Sequence, residues 1–386
     1  YHTACVGKWH LGLGWARWAD SAEKARRAGW PADFSKPIAD GPVTHGFDSF
    51  FGISASLDMP PFAFIQDDHL TALPTATKKW VRSGPAAPDF EAVDVLPTLT
   101  RKAIETLNAR AADAKAGHPF FLYLALSSPH TPIVPTDAWK GKSGLGPYGD
   151  FVMQTDDAVG QVLAALDRTG LAEDTLVFFA SDNGTSPAAG FEHLQKLGHY
   201  PSANFRGAKS DIWEGGHRIP LFVRWPGRIK AGVRKDTLVC LTDFMATAAE
   251  FTGAKIPDDA AEDSFSLLGE LLGNGTSARS SVVNHSIDGR FAIRERAWKL
   301  EFCPGSGGWG KPTDKQATSE KLPELQLYEM NSDIGEKANV ASANPETVQR
   351  LTALLETIVT SGRSTPGPKQ KNDRPVDFRN GPARGQ

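Results

Sequence analysis

Cysteine is nearly absent from this chain: three residues in 386, namely Cys5, Cys240 and Cys303. So widely spaced a set makes neither a disulfide framework nor a zinc site, and it leaves the redox compartment open. A surplus of charge of one sign is lacking too. Lys and Arg number 42 against 45 Asp and Glu, a formal net charge of −3. Without a global basic field, nucleic acid and anionic membrane are excluded as main partners, and an anionic ligand has to be met by a local cluster of cations. No apolar run reaches membrane-spanning length, so no membrane span is expected. No internal repeat points to a solenoid or propeller. The chain opens without Met or a signal peptide, which says nothing about export.

What is present is an ordinary globular composition, 40% hydrophobic and 23% charged, on a length that suits one large domain and a smaller one. The continuous apolar runs FFLYLAL (120–126), TLVFFAS (175–181) and PLFVRW (220–225) read as strands buried on both faces, the mark of a covered parallel sheet. Ala4-Cys5-Val6 reads the same way, and Cys5 and Cys240 are expected as buried small hydrophobes. Helical spacing fills LPTLTRKAIETLNARAADAKAG, DFVMQTDDAVGQVLAALDRTG with a stop at Gly170, and TDFMATAAEFTG with a stop at Gly253. The alternation predicts an α/β domain over 1–275 with a mostly parallel sheet flanked by helices. From about 276 the runs shorten and alternate (SSVVNHS, RFAIRERAWKLEF, LQLYEM), like half-exposed antiparallel strands, and one amphipathic helix follows. A small α+β domain over 276–360 is expected, then a loop or disordered tail over 361–386.

In open α/β sheets, ligands sit beyond the carboxyl ends of the strands, so the polar residues that follow each strand matter most. Asp182-Asn183 follows TLVFFAS and offers hard oxygen donors suited to Ca²⁺ or Mg²⁺, or simply an Asx turn. His130 follows FFLYLAL between two prolines, placed for acid or base work or for a backbone bond. NFRGAKSDIWEGGHRIP gathers Arg206, Lys209, Glu214 and Arg218, either as a site or as a solvated charged loop. TACVGKWHLG projects Lys8 and His10 from one strand end. Together these residues supply a metal pair, two imidazoles and two ammonium groups, which suits hydrolysis at a tetrahedral oxyanion.

In that order along the chain, GKWHLG (7–12), SDNG (181–184), FRGAKSDIWEGGHRIPLFVRWPG (205–227) and LQLYEMNSDIGEKANVA (325–341) resemble the type I sulfatases of the alkaline phosphatase superfamily, from residue 1 to about 345. GISASLDMPP and GHYPSANFRG further resemble bacterial carbohydrate sulfatases. The resemblance implies that Lys8 binds sulfate and steadies the nucleophile, and that His10 hydrogen-bonds the nucleophile's hydroxyl. It makes His130 the general acid on the leaving oxygen, Lys209 a sulfate ligand, and Asp182 and Asn183 ligands of one Ca²⁺. Asp58 and His199 are candidate contacts to sugar hydroxyls. It further implies a sulfated small molecule or glycan as substrate, a formylglycine-generating enzyme as maturation partner, and a periplasmic or secreted protein.

The family's nucleophile is a formylglycine made from Cys or Ser in a C/S-x-P/A-x-R motif, and no Cys or Ser here fits it. The family's first pair of metal Asp residues is absent as well. The expectation is therefore a chain that begins inside the catalytic domain and has no turnover by itself. A phosphodiesterase or phosphonate hydrolase of the same superfamily, and a non-catalytic sulfatase-like binding protein, remain as alternatives.

Overall fold

The apolar opening becomes strand β1 (His2–Lys8) in a computed structural model that describes residues 1–17 and 30–380. Two units emerge, Tyr1–Thr175 and Leu176–Gln386. In the first, β1 lies parallel to β2 (Ser49–Ile53) on one edge and, beyond several intervening elements, to β7 (Phe120–Ala125) on the other. Two short antiparallel strands, β3 (Ile65–Gln66) and β4 (His69–Leu70), extend the sheet to the order β4-β3-β2-β1-β7. A separate hairpin joins β5 (Ala76–Lys79) and β6 (Ser83–Ala86). Helices α1 (Val95–Lys115) and α2 (Pro147–Thr169) pack together, and α1 also lies against β1 and β7.

Alternation along β1 explains why both its faces are apolar. Val6 joins Ile53, Leu57, Phe62 and Leu99 in one core, while Cys5 joins Ile38, Phe50 and Ile65 in another. Each such side chain contributes about 1.5–3 kcal/mol when fully buried. The three parallel strands also approach unusually closely before their ends. A Cβ on Gly7 would lie 2.0 Å from the Ala125 carbonyl oxygen, and one on Gly52 would lie 1.7 Å from that of Gly7. Only glycine fits at either position, and Lys8 is the next residue.

In the second unit, β8 (Val177–Ala180) pairs antiparallel with β9 (Leu221–Arg224) in a two-stranded ribbon. Short helices α3 (Phe191–Lys196) and α4 (Glu214–His217) lie between them in sequence, and α5 (Asp243–Thr252) and α6 (Leu268–Leu272) follow. Strands β10 (Ser281–His285), β11 (Phe291–Glu295), β12 (Trp298–Glu301) and β13 (Gln326–Glu329) then form an antiparallel sheet in sequential order. Helix α7 (Asp314–Ser319) precedes β13, and α8 (Pro345–Ser361) packs Leu351 and Leu355 onto Ile293, Leu300 and Leu327. Gly170 and Gly253 close α2 and α5 as expected. The α/β architecture with a mixed sheet, flanking helices and a further antiparallel sheet is thus present, and the expected border near 275 lies inside the second unit.

Three expectations need correction. Tyr123 on β7 is 47% exposed, and Phe179 and Phe222 on β8 and β9 are 38% and 65% exposed, so these strands are not buried on both faces. A two-stranded ribbon has too few neighbours to cover both sides. Cys240 is half-buried and lies outside any strand, its N–H donating to Asp243 Oδ2 at 2.9 Å just before α5. β12 is not half-exposed: Lys299, Leu300 and Glu301 are all fully buried. The tail over 362–380 is irregular, as a loop is, and its Phe378 enters the core of α8 and the antiparallel sheet. Residues 381–386 of that tail lie outside the described residues.

Candidate active site

Three parallel strands end on one edge of the first unit, and each end carries candidate residues. Lys8 closes β1 opposite Ile53, and the register runs on past the strand, Trp9 and His10 donating their N–H groups to the carbonyls of Ile53 and Ser54 at 3.0 Å each. His10 then turns with φ at 58°, a left-handed conformation that aims the chain off the sheet. Its Nδ1 lies 3.2 Å from Ser56 Oγ, and Ser56 is 1% exposed. Beyond β2 comes Asp58, and beyond β7 comes His130. The two meet, with His130 Nδ1 3.9 Å from Asp58 Oδ1. His130 Nδ1 also lies 2.9 Å from the Thr131 carbonyl oxygen, so that nitrogen is the donor and Nε2 is left as the working atom. Asp58 Oδ1 and Ser127 Oγ are both buried without a hydrogen-bond partner among the described residues. Orphaned polar atoms of this kind, at a strand-end edge, fit a site for a polar ligand.

Cys5 lies inside β1, three residues before Lys8. Burial pushes its thiol up to about 12, so it stays protonated and inert as a nucleophile.

The remaining candidates belong to the second unit. Asp182 is exposed and Asn183 half-buried directly after β8, and Asn183 Nδ2 donates to the Gly184 carbonyl at 3.0 Å. Gly184 N–H donates to Gly216 O at 2.9 Å, and a Cβ on Gly184 would lie 1.8 Å from Gly215 O. The turn after β8 is therefore laid backbone to backbone on the Gly-Gly of α4. Lys209 N–H donates to Thr185 O at 2.9 Å, and Gly215 N–H to Arg206 O at 2.7 Å. These bonds lace the segments of Asp182-Asn183, Lys209 and Glu214 together. His199 stands apart and exposed, although the nearby Pro201 carbonyl accepts from Thr185 Oγ1 at 3.1 Å.

Glu214 is not part of a solvated charged loop. It is 2% exposed, and Lys299 and Arg294 of the antiparallel sheet are among its partners. Lys299 Nζ lies 3.2 Å from Glu214, 3.1 Å from Glu301 and 2.7 Å from Glu336, with Lys299, Glu301 and Glu336 fully buried. Arg294 adds a contact to Glu214 at 3.1 Å, and Glu336 Oε2 accepts the Glu214 N–H at 2.7 Å. Burial raises the Glu214 carboxyl, but the Lys299 cation, with Arg294 and Arg218 beside it, outweighs burial and holds the group down to about 2. Glu301 is pushed well above its usual value by burial and by its crowded carboxylates, so it keeps its proton. Arg206 completes the clamp, its guanidinium stacked 3.7 Å over the Trp213 ring and donating to Glu336 O at 2.9 Å. Ser56, Asp211, Lys299, Glu301 and Glu336 were not singled out from the sequence. For Lys299 and Glu301 the signal was available: two opposite charges two apart on one strand face.

A hard cation finds oxygen donors of the right type in the Asp182 carboxylate and the Asn183 carboxamide. Ca²⁺ takes about six to eight oxygens, and among the described residues no group of three or more His, Cys, Asp or Glu is placed to hold a metal. The donor type fits and the count stops at a pair, so no chemical step is derived through a metal here.

The sulfatase family profile matches residues 1–254. The chain belongs to the sulfatase family. It is 30% identical over 407 residues to the N-acetylgalactosamine-6-O-sulfatase of Bacteroides thetaiotaomicron, covering 93% of this chain and 75% of that protein. Human arylsulfatase A is 32% identical over 398 residues, covering 94% of this chain and 71% of that protein. A Bacteroides thetaiotaomicron structure described under the metabolism of multiple glycosaminoglycans superposes with a TM-score of 0.75 at 28% identity, covering 93% of this chain and 79% of that one. This sulfatase is therefore a sulfuric ester hydrolase. No helix among its described residues is long and apolar enough to cross a membrane.

Proposed function

We propose that this sulfatase acts on a sulfated carbohydrate, with a 6-O-sulfated N-acetylhexosamine as the first substrate to test. The meeting of His130 with Asp58, at the strand-end edge that also carries Lys8 and His10, carries the reading. It is the arrangement needed to bind a sulfate and protonate a sugar oxygen as it leaves. Lys8 and Lys209 supply positive charge to sulfate oxygens, where preorganised donors act most strongly. His10, steadied by Ser56, hydrogen-bonds the nucleophile. His130 donates the proton to the leaving oxygen, with Asp58 beside its other ring nitrogen.

Asp182 and Asn183 would hold one Ca²⁺, which supplies charge neutralisation when bound. A formylglycine hydrate, matured by a formylglycine-generating enzyme, supplies the nucleophile in this reading, and no residue of the 386 has the motif for it. Periplasmic or secreted placement belongs to the same proposal, as does the division into a catalytic domain over 1–275 and a small domain over 276–360.

The test is sulfate release, read by ion chromatography, from N-acetylgalactosamine 6-sulfate and from an aryl sulfate. A chain that carries the formylglycine motif, matured by a formylglycine-generating enzyme and supplied with Ca²⁺, is expected to turn over both, whereas these 386 residues alone turn over neither. Lys8→Ala and Lys209→Ala should each cost ~10²–10³ in kcat. Full activity in either variant, or faster hydrolysis of the matching phosphate ester, would remove the basis for the assignment.

A further inference from the structure

Next to Lys209 in the second unit lies an open cavity of about 700 Å³ that none of the proposed roles uses. Gly207, Ala208 and Asp211 form part of its lining, so the chain passes from the cavity wall to the Lys209 position in one residue. Phe191, Tyr200 and Phe205 supply apolar wall, and Tyr200 is 60% exposed. Arg218 covers one face of Phe205, its guanidinium 4.8 Å from the ring centre, which leaves Tyr200 as the open aromatic surface. Ser202 also belongs to the lining, and its Oγ is buried with no hydrogen-bond partner among the described residues.

Charge decides what such a cavity accepts. No Lys or Arg is among its described lining residues, whereas Glu192 and Asp211 are. Glu192 is already paired with Lys196 at 2.7 Å. Asp211 is 2% exposed and accepts N–H groups from Ala208 at 2.9 Å and Gly310 at 2.8 Å. A sulfate or carboxylate would meet carboxylates there and no lysine or arginine. A neutral ring with one apolar face and several hydroxyls meets aromatic surface, a free serine hydroxyl and the His193 and Gln195 side chains. The volume lies in the range of small-molecule sites and exceeds a single sugar ring.

We infer that this cavity is a subsite for an uncharged sugar of the substrate glycan, one that neighbours the sulfated residue. The inference rests on the carbohydrate reading above for its role in catalysis, but the binding it claims is independent of sulfate. It places substrate selection on the segment from Pro187 to Phe205 and on the Gly310 loop. A monosaccharide sulfate would fill only the sulfate-binding part, and a sulfated disaccharide would fill both.

The test is saturation-transfer NMR on the full chain with three probes: free N-acetylgalactosamine, a neutral galactose-containing disaccharide, and inorganic sulfate. The neutral disaccharide is expected to bind. Tyr200→Ala should weaken it roughly 2- to 10-fold by loss of the aromatic face, and Tyr200→Phe should restore it. Ala203→Trp, an exposed lining position, should block the cavity and abolish the signal. Both side chains are exposed, and because Ala203 has φ at 49° a thermal melt checks that each variant keeps the fold. Lys209→Ala should leave neutral-sugar binding unchanged while weakening sulfate. Neutral-sugar binding that is absent, or indifferent to Tyr200→Ala and Ala203→Trp, overturns the subsite. Neutral-sugar binding that persists while sulfate ignores Lys209→Ala leaves the subsite standing and overturns the sulfate-binding role instead.

Discussion

His130 Nδ1 lies 3.9 Å from Asp58 Oδ1, across the ends of two strands that never touch each other in the sheet. The carboxylate is 13% exposed in its side chain, and that oxygen has no hydrogen-bond partner among the described residues. A small movement of the imidazole would close the pair. Removing His130 should therefore hurt most where the leaving oxygen needs a proton. His130→Ala is expected to cost ~10²–10⁴ on a sugar sulfate and clearly less on an activated aryl sulfate. Asp58→Asn should show the same preference with a smaller loss. Equal losses on the two substrates would mean that His130 only positions the sulfate.

Metal binding is addressed without any turnover. Asp182→Ala removes the only formal charge of the oxygen pair after β8, and calorimetric titration of the mature protein should show Ca²⁺ affinity sharply reduced. Added Ca²⁺ should also raise the melting temperature of the wild type and leave the variant unmoved, since a ligand stabilises the state that binds it. Unchanged Ca²⁺ affinity in the variant would refute the metal assignment.

The buried charges around Lys299 predict a large stability effect. Lys299→Met leaves Glu214 and Glu336 buried without their shared cation, which should cost about 3–5 kcal/mol. Urea unfolding gives the number, with the midpoint moving and the slope preserved. Because Glu214 N–H is held by Glu336 and α4 is laced to the Lys209 segment, kcat should fall in the same variant.

Acid sensitivity has a defined window. Burial and the nearby Lys299 ammonium push the His217 imidazole from 6.5 down to about 3. Its unfolded form takes up a proton first, so the stability it contributes is complete above about pH 6.5 and drains as pH falls toward 3. Glu214, held at about 2 against an ordinary 4.5, adds a second loss from about pH 4.5 downward. Unfolding measured at pH 7.5, 5.5 and 4 should show the decline beginning near 6.5. His217→Gln should flatten its upper part and leave the lower part in place.

How much of this was legible beforehand differs from element to element. Helices α1, α2, α5 and α8 and the antiparallel strands follow from local periodicity, because an element that buries one stripe or face writes that stripe into its own residues. Lys8, His10, His130 and Asp182 were visible as polar residues just after apolar runs, where strand ends offer the chain to solvent, and Lys209 as part of a charged segment just before one. The pairing of β8 with β9 was not visible, because two continuous apolar runs read alike whether their neighbour is parallel or antiparallel. Glu214 could be read as a site residue or as part of a solvated loop, because one carboxylate in a loop carries no record of a lysine 85 positions further on.

By itself, then, the amino-acid order determined the element types, the polar residues at the strand ends and the family, all of which depend on residues close in sequence or on motifs in fixed order. Tertiary structure alone decided that Asp58 meets His130, that Ser56 meets His10, and that Lys299 gathers Glu214, Glu301 and Glu336. Apart from Lys299 with Glu301, two positions apart on β12, each of those contacts joins residues tens of positions apart. Whether a charge is solvated or buried is settled by the partner that folding brings to it, and that partner leaves no mark in the local sequence.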